Sequence, residues 1–263
     1  MAVPRSLLIV VGDELLGGFT VDGNGSLATR RLFELGYPVR RIEIVGDAVD
    51  EIADAVARAI ADPEIARIIV CGGIGPTPDD RTHEAVAQAL GRELVESPEA
   101  LRHIEAVVSR MHAAGWVPSP VPSAANRKMA LMAAGGRVLE NRRGMAPPLA
   151  VRLAGGEDRW LFVLPGVPRE FAAIFEEVLV PEFLGGSRAL TVVENRHPGA
   201  IEADFAEPLR RLEAEFPDVA AGSYPQQGSE PILVIRLRGE DPARVAVAAA
   251  RLQQLREECA SPS

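Results

Sequence analysis

The chain has 263 residues, 47% of them hydrophobic and 25% charged. This supplies apolar material for a sizeable core and excludes intrinsic disorder. A net charge of −9 argues against a general nucleic-acid binder, which presents a basic face. No apolar run reaches the roughly 18 residues that a membrane helix needs, and Met1-Ala2-Val3-Pro4-Arg5 lacks the regions of a signal peptide. Cys71 and Cys259 are too few and too far apart for a disulfide framework or metal knuckle. The expectation is a cytoplasmic protein whose partners are small molecules, with neither nucleic acid nor membrane among them.

Ser6–Val11 is a short apolar run and reads as a buried strand. Residues 12–23 read as a loop, with Asn24 capping a helix to Leu35 that Gly36 stops. Pro38–Val45 alternates Val39, Ile42 and Ile44 with charged residues, as a strand does. Asp47–Ala61 places Ile52, Val56 and Ile60 four apart, the spacing of an amphipathic helix. Arg67–Cys71 is a strongly apolar strand, and Thr82–Leu90 a helix ended by Gly91. Ser97-Pro98-Glu99 combines a cap, a proline at the first helical position and an acid, and opens a helix to about Ala114. A proline-rich loop follows, holding Trp116 by packing, and then a short helix over Ala124–Met132. Leu149–Leu153 and Trp160–Leu164 pattern as a hairpin across Gly155-Gly156-Glu157-Asp158, with Trp160 in the core. Pro168 opens a helix to about Val180.

Strands alternating with helices predict a mostly parallel, doubly wound α/β sheet with the hairpin as an antiparallel addition. Gly185-Gly186-Ser187 breaks the pattern, which sets a first domain over residues 1–185. Beyond it come strand (Ala189–Glu194), helix (Ala200–Phe216), two strands (Val219–Ser223, Ile232–Arg238) and helix (Pro242–Glu257). They form a small α+β domain over residues 188–258, and Ala260–Ser263 reads as a frayed end.

Chemistry concentrates in Gly72-Gly73-Ile74-Gly75-Pro76-Thr77-Pro78-Asp79-Asp80-Arg81-Thr82. A buried strand ends, and three glycines in four residues lead into a helix. Glycines let backbone N–H groups turn toward an anion, and the following helix N-terminus adds positive partial charge. In parallel sheets the carboxyl ends of strands are where ligands bind. Carboxylates beside a phosphate cradle make sense if they hold Mg²⁺ (or Co²⁺ or Mn²⁺) and position water. No Gly-Lys-Ser/Thr follows, so this is not a Walker loop, and the glycine spacing is not that of a dinucleotide fingerprint. Asp13, Glu14 and Asp22 leave the end of another strand and could face the same crevice. Lys128 is the only lysine in the sequence. The four histidines show no metal-ligand spacing; His83 lies nearest the loop.

Taken together, Gly12-Asp13-Glu14-Leu15-Leu16, Asp22-Gly23-Asn24, Val45-Gly46-Asp47 and the Gly72–Thr82 loop resemble the molybdopterin-binding domain family. Within it they are most similar to the N-terminal part of competence/damage-inducible protein A. Asn126 with Lys128, Asn141 with Gly144-Met145-Ala146-Pro147, and Leu164-Pro165-Gly166-Val167-Pro168-Arg169-Glu170 extend the match over the first domain.

The resemblance implies a three-layer α/β/α fold and a Gly-rich loop that holds a pterin phosphate or a nucleotide diphosphate. It also implies metal-dependent cleavage of a pyrophosphate bond, as in ADP-ribose or FAD, with K⁺ as an accessory ion. Asp80 and Asp47 are then the catalytic acids, and Glu14 joins them on the metal. Gly72, Gly73, Ile74, Gly75, Pro76, Thr77, Asp79, Asn24, Asn126, Lys128 and Gly166 are the ligand-binding set. Alternatives are binding without turnover and adenylyl transfer to molybdopterin. A dimer or trimer is expected. Departures are Asp13 where the family has threonine, Gly23 where it has threonine, Arg142 and Arg143 in the Asn141 loop, and an expected lack of the deamidase domain of full-length relatives.

Overall fold

The computed structural model describes residues 4–155, 158–185, 189–226, 228 and 231–260. The chain divides into two compact units, Met1–Ser187 and Arg188–Ser263. The predicted turn residues Gly156 and Glu157, the boundary residues Gly186 and Ser187, and the end residues 261–263 lie outside the described residues.

In the first unit the order is β1 (Arg5–Val11), α1 (Asp13–Leu16), α2 (Gly23–Glu34), β2 (Val39–Val45), α3 (Val49–Ala61), β3 (Ile65–Cys71), α4 (Thr82–Leu90), β4 (Leu94–Glu96), α5 (Pro98–Ala113), α6 (Ala124–Lys128), β5 (Leu131–Ala133), β6 (Arg137–Val138), β7 (Leu149–Arg152), β8 (Trp160–Leu164) and α7 (Pro168–Ile174). A π-helical turn (Phe175–Leu179) then continues into α8 (Val180–Phe183). The six-stranded sheet runs β2-β1-β3-β8-β7-β6. The pairs from β2 to β8 are parallel, and β7 and β6 are antiparallel. This is the mostly parallel sheet with an appended hairpin that the alternation of elements predicts.

Strand alternation builds the layers. Leu7, Ile9 and Val11 of β1 and Ile68 and Val70 of β3 pack with α3, α4 and α5 on one face. Leu8, Ile69 and Cys71 point the other way, onto α2, α7 and the π turn. The central strands are buried on both faces, which is why they read as continuous apolar runs. A short antiparallel pair, β4 with β5, lies outside the main sheet.

Several boundaries differ from expectation. Residues 13–16 form the single helical turn α1 instead of loop. Asp22, not Asn24, caps α2: its carboxylate accepts from the Gly25 N–H at 2.8 Å, two residues earlier than expected. The third helix starts at Val49, because the Asp47 carboxylate accepts from the Asp13 N–H instead of capping. The helix expected over Ala124–Met132 stops at Lys128, and Leu131–Ala133 becomes β5. Trp116 is 76% exposed, not packed under its loop, whereas Trp160 stacks near Phe162 and Phe183.

In the second unit, β9 (Thr191–Pro198), α9 (Ala203–Glu215), β10 (Ala220–Gln226), β11 (Ile232–Gly239) and α10 (Pro242–Ala260) form a three-stranded antiparallel sheet, order β10-β11-β9, with two helices. Leu233, Ile235 and Leu237 of the central strand pack against Phe205 and Leu212 of α9 and Val245 and Leu252 of α10. Among the described residues no helix is long and apolar enough to cross a membrane.

Candidate functional site

The carboxyl ends of β1, β2, β3 and β8 carry the candidate residues. The parallel register sets these strands side by side, so their C-terminal loops share one edge.

The β3 loop is shaped by its glycines. Gly72 (φ +107°) and Gly73 (φ +64°) lie in the left-handed half of backbone space, and a side chain on Gly72 would collide with the Val11 carbonyl. Thr82, wholly buried at the start of α4, ties the loop down. Its hydroxyl donates to the Gly72 carbonyl at 2.8 Å, and its N–H donates to the Gly73 carbonyl at 2.9 Å. Ile74 is buried, and neither it nor Gly75 makes a backbone or side-chain hydrogen bond among the described residues. Two N–H groups without a partner after a tight Gly-rich turn, ahead of a helix N-terminus, could donate to an anion.

Asp80 sits across this loop. Its carboxylate accepts from the Thr77 N–H at 2.8 Å and from the Thr77 hydroxyl. Lys128 donates its ammonium to the Thr77 carbonyl. The Thr77 hydroxyl foremost, and more weakly the Lys128 charge, hold the Asp79 carboxyl below its ordinary value.

Opposite lies an acidic pair. The Asp13 N–H donates to Asp47 Oδ2 at 3.1 Å, and the Asp47 N–H donates back to Asp13 Oδ1 at 3.4 Å. Burial, first, and then the charges of Asp13, Glu14 and Asp79 raise the Asp47 carboxyl above its ordinary value. Several carboxylates thus crowd one another, an arrangement that a cation would relieve. Among the described residues no three His, Cys, Asp or Glu side chains converge as a ready-made metal cage. Asp47 and Glu14 feel each other's charge, but Asp80 is turned onto Thr77. Asp47 and Glu14 are the carboxylates that could reach a cation there, one or two being what Mg²⁺ commonly takes from a protein.

Other predicted residues serve the scaffold. Asn24, 8% exposed in the first turn of α2, donates to the Gly166 carbonyl at 2.7 Å and to Cys71 Sγ at 3.3 Å. Asn126 forms a capping box with Ser123, and its amide donates to Met145 Sδ at 3.4 Å, so its polar atoms are committed to α6 and its neighbour. Asn141, 2% exposed, fastens its own loop through the N–H groups of Arg143 and Gly144, the Ala146 carbonyl and Glu170. Arg169 is exposed.

His83, nearest the loop in the sequence, is buried in the first turn of α4. It is 7% exposed, meets the Pro147 carbonyl, and lines a pocket with Ile74, Gly75, Asp80 and Lys128. Its position next to Thr82 was the available signal; its burial was not visible in the pattern.

The mostly parallel sheet with a Gly-rich loop and several acids at the carboxyl ends of its strands is that of a doubly wound α/β domain. Residues 7–185 match the family model described as a probable molybdopterin binding domain, and the chain belongs to that family. Residues 197–261 match the model for the FAD synthase middle domain. A protein of Pyrobaculum calidifontis is 35% identical over 251 residues, spanning 91% of this chain and 88% of that one. A CinA-like protein of Citrifermentans bemidjiense is 36% identical over 251 residues, 95% of this chain but 58% of the relative. The crystal structure of the protein CinA from Thermoplasma acidophilum superposes with a TM-score of 0.58 at 31% identity, covering 69% of this chain and 98% of that one.

Proposed function

We propose that the first unit binds a nucleotide diphosphate or a pterin phosphate on the Gly72–Gly75 loop and hydrolyses a pyrophosphate bond with a divalent metal. The observation that carries this reading is that the N–H groups of Ile74 and Gly75, without a hydrogen-bond partner among the described residues, and the Asp13–Asp47 carboxylates leave the carboxyl ends of adjacent strands at one edge of the sheet. Donors alone suit an anion, and carboxylates alone suit a cation. Side by side they suit a metal-bound phosphate.

Asp47 and Glu14, with Asp80, would hold Mg²⁺, Co²⁺ or Mn²⁺, with K⁺ as an accessory. The ion, when bound, supplies charge neutralisation at the phosphates. The N–H groups of Ile74 and Gly75 hold the diphosphate oxygens. Lys128, fixed on the Thr77 carbonyl, places positive charge beside the loop, where the departing phosphate gains negative charge. Water adds to one phosphorus, the P–O–P bridge breaks, and two phosphate monoesters leave. Asp80, within the loop, positions that water or the metal.

The test is AMP release from ADP-ribose and from FAD, with and without Mg²⁺, Co²⁺ and K⁺. Metal-dependent release that disappears in Asp80→Asn while ligand binding persists is expected. Undiminished turnover in that variant would remove Asp80 from the chemistry. A second reading, binding without turnover, is favoured by one observation: Asp80 spends its carboxylate on Thr77. No AMP release with calorimetric binding retained would establish it. Self-association is part of the proposal and is supported by the exposed side chains of Leu16, Phe19 and Val21 beside the first loop. Sedimentation of the whole chain tests it.

A further inference from the structure

The second unit leaves one flank of its sheet open. The strand order β10-β11-β9 makes β9 an edge strand of eight residues. Among the described residues no backbone hydrogen bond joins residues 191–196 to anything but β11. An open edge is a template for another strand, and the charges along it decide which strands it accepts. β9 carries Glu194 and Arg196, opposite in sign and two residues apart. Strand side chains alternate. Both therefore leave the sheet face away from the helices, while Val193 and His197 turn toward the core that α9 and α10 cover.

Two copies of one strand pair antiparallel about a two-fold axis, and the backbone groups of both match only where that axis falls on a residue. With the axis on Asn195, Glu194 of each copy faces Arg196 of the other, twice, and Val192 faces Pro198. With the axis on Glu194 or on Arg196, like charge meets like. Arg196 is exposed, and neither its guanidinium nor the Asn195 amide has a partner among the described residues. Glu194 Oε1 accepts from Arg236 at 2.6 Å, which leaves its second oxygen. The other edge, β10, carries no charged residue to set a register. The helix layer agrees. Arg244 and Arg251 tie one flank of α10 to Asp218 and Glu215, on the α9 side. Arg256 meets His197 Nδ1 at 3.2 Å on the β9 side. Helical spacing puts Gln253, Ala249 and Ala246 on that same flank. Small, uncharged side chains there let a second α10 come close.

We propose that β9 pairs antiparallel with the β9 of a second copy of this chain, about a two-fold axis at Asn195, so that two three-stranded sheets become one of six strands. The surface lies on the second unit. It stands or falls apart from the phosphate-loop reading and from the exposed Leu16, Phe19 and Val21 of the first unit.

The test is sedimentation velocity on the full chain over a range of concentrations. Arg196→Glu sets acid opposite acid across the axis, and Glu194→Arg sets base opposite base. Each variant alone is expected to associate at least about tenfold more weakly than wild type, because two facing pairs turn from attraction to repulsion. Mixed in equal amounts, the two variants present opposite charges to each other and should regain the wild-type mass. A merely structural role for either residue would not be rescued by mixing. Association through the first unit alone would leave both variants at the wild-type mass and overturn the proposal. Monomeric wild-type protein, or a loss in the single variants that mixing does not restore, would overturn it too. Should a variant not fold, amide hydrogen exchange of the wild type decides. The β9 amides that do not bond β11 gain protection as concentration rises, or the proposal falls.

Discussion

The Asn24 side-chain amide donates to the Gly166 carbonyl at 2.7 Å, joining residues 142 apart in sequence. That bond fastens the start of α2 to the loop after β8, and Gly166 in turn lies against Gly72. Three strand-end loops are thereby held as one piece. Asn24→Asp turns the donor into a carboxylate facing a carbonyl in a nearly buried position. It is expected to lower unfolding free energy by about 1–3 kcal/mol, measured in urea. It should also weaken ligand binding, because the cradle loosens with it.

Gly72 and Gly73 give a sharper case. Both have positive φ, and a Cβ on Gly73 would meet the Thr82 hydroxyl. Gly73→Ala therefore strains the backbone and displaces the hydroxyl that holds the loop. The strain is worth about 1–3 kcal/mol. Gly72→Ala, whose Cβ would meet the Val11 carbonyl, should be the worse of the two, since backbone cannot swing aside. Comparing the melting temperatures of the two variants checks the order, and equal values would refute it.

Asp47 should trade stability for function. Its carboxyl is raised by burial and by the neighbouring acids, so the ionised form is disfavoured in the folded chain. Asp47→Asn removes that repulsion, and its side-chain oxygen can still accept from the Asp13 N–H. The metal-free variant is expected to melt slightly higher than wild type and to lose the stabilisation that added Mg²⁺ gives. Thermal melts with and without Mg²⁺ measure both. A lower melting temperature in both conditions would contradict the argument.

The fold was legible where local chemistry decides the element. Ser97-Pro98 starts α5, the run Thr82–Leu90 is α4, and continuous apolar runs are the central strands. The Gly72–Thr82 loop was legible for the same reason, since glycine clusters and an acid pair stand out without a neighbour. Strands β4, β5 and β6 were missed because they span two or three residues, too short to show a period, and exist through partners distant in sequence. The bonds made by Asn24, Asn126 and His83 were not legible for another reason. A residue's type tells what it can bond, but only packing tells which bonds are already made. Asn126 forms a cap, whereas His83 is buried against the Pro147 carbonyl.

Arg67 illustrates how burial sorts an ion pair. Its side chain is 1% exposed and its partner Asp158 is 68% exposed, at 2.7 Å. The guanidinium also donates to the Phe183 carbonyl at 2.7 and 3.1 Å and lies over the Tyr37 ring. Asp158→Ala removes a mostly solvated partner and should cost about 0–1 kcal/mol. Arg67→Met should cost about 3–5 kcal/mol, because buried carbonyl acceptors lose their donor along with the packing. Urea denaturation of both variants gives the ratio.

The pH dependence of stability follows from His83. In the folded chain its pKa is pushed down to about 4 by burial, against an ordinary value of 6.5. Above pH 6.5 both folded and unfolded chains carry the neutral ring, and its contribution is fully present. Between 6.5 and 4 the unfolded chain takes up the proton and the folded one does not, so stability falls as pH falls. Below 4 both are protonated and the loss, about 3 kcal/mol, is complete. His197 in the second unit is also lowered by burial, so global unfolding would mix the two. Both tryptophans lie in the first unit, and Trp160 packs against Phe183. Tryptophan fluorescence therefore follows the unit that holds His83. Urea midpoints read this way should drop between pH 6.5 and 4.5 in wild type, above the range where the lowered surface carboxylates titrate. In His83→Phe that fall should disappear, leaving the opposite and weaker trend of Asp47, whose raised carboxyl is protonated more readily in the folded chain than in the unfolded one. An unchanged slope in that variant would mean that the ring is not the group that titrates.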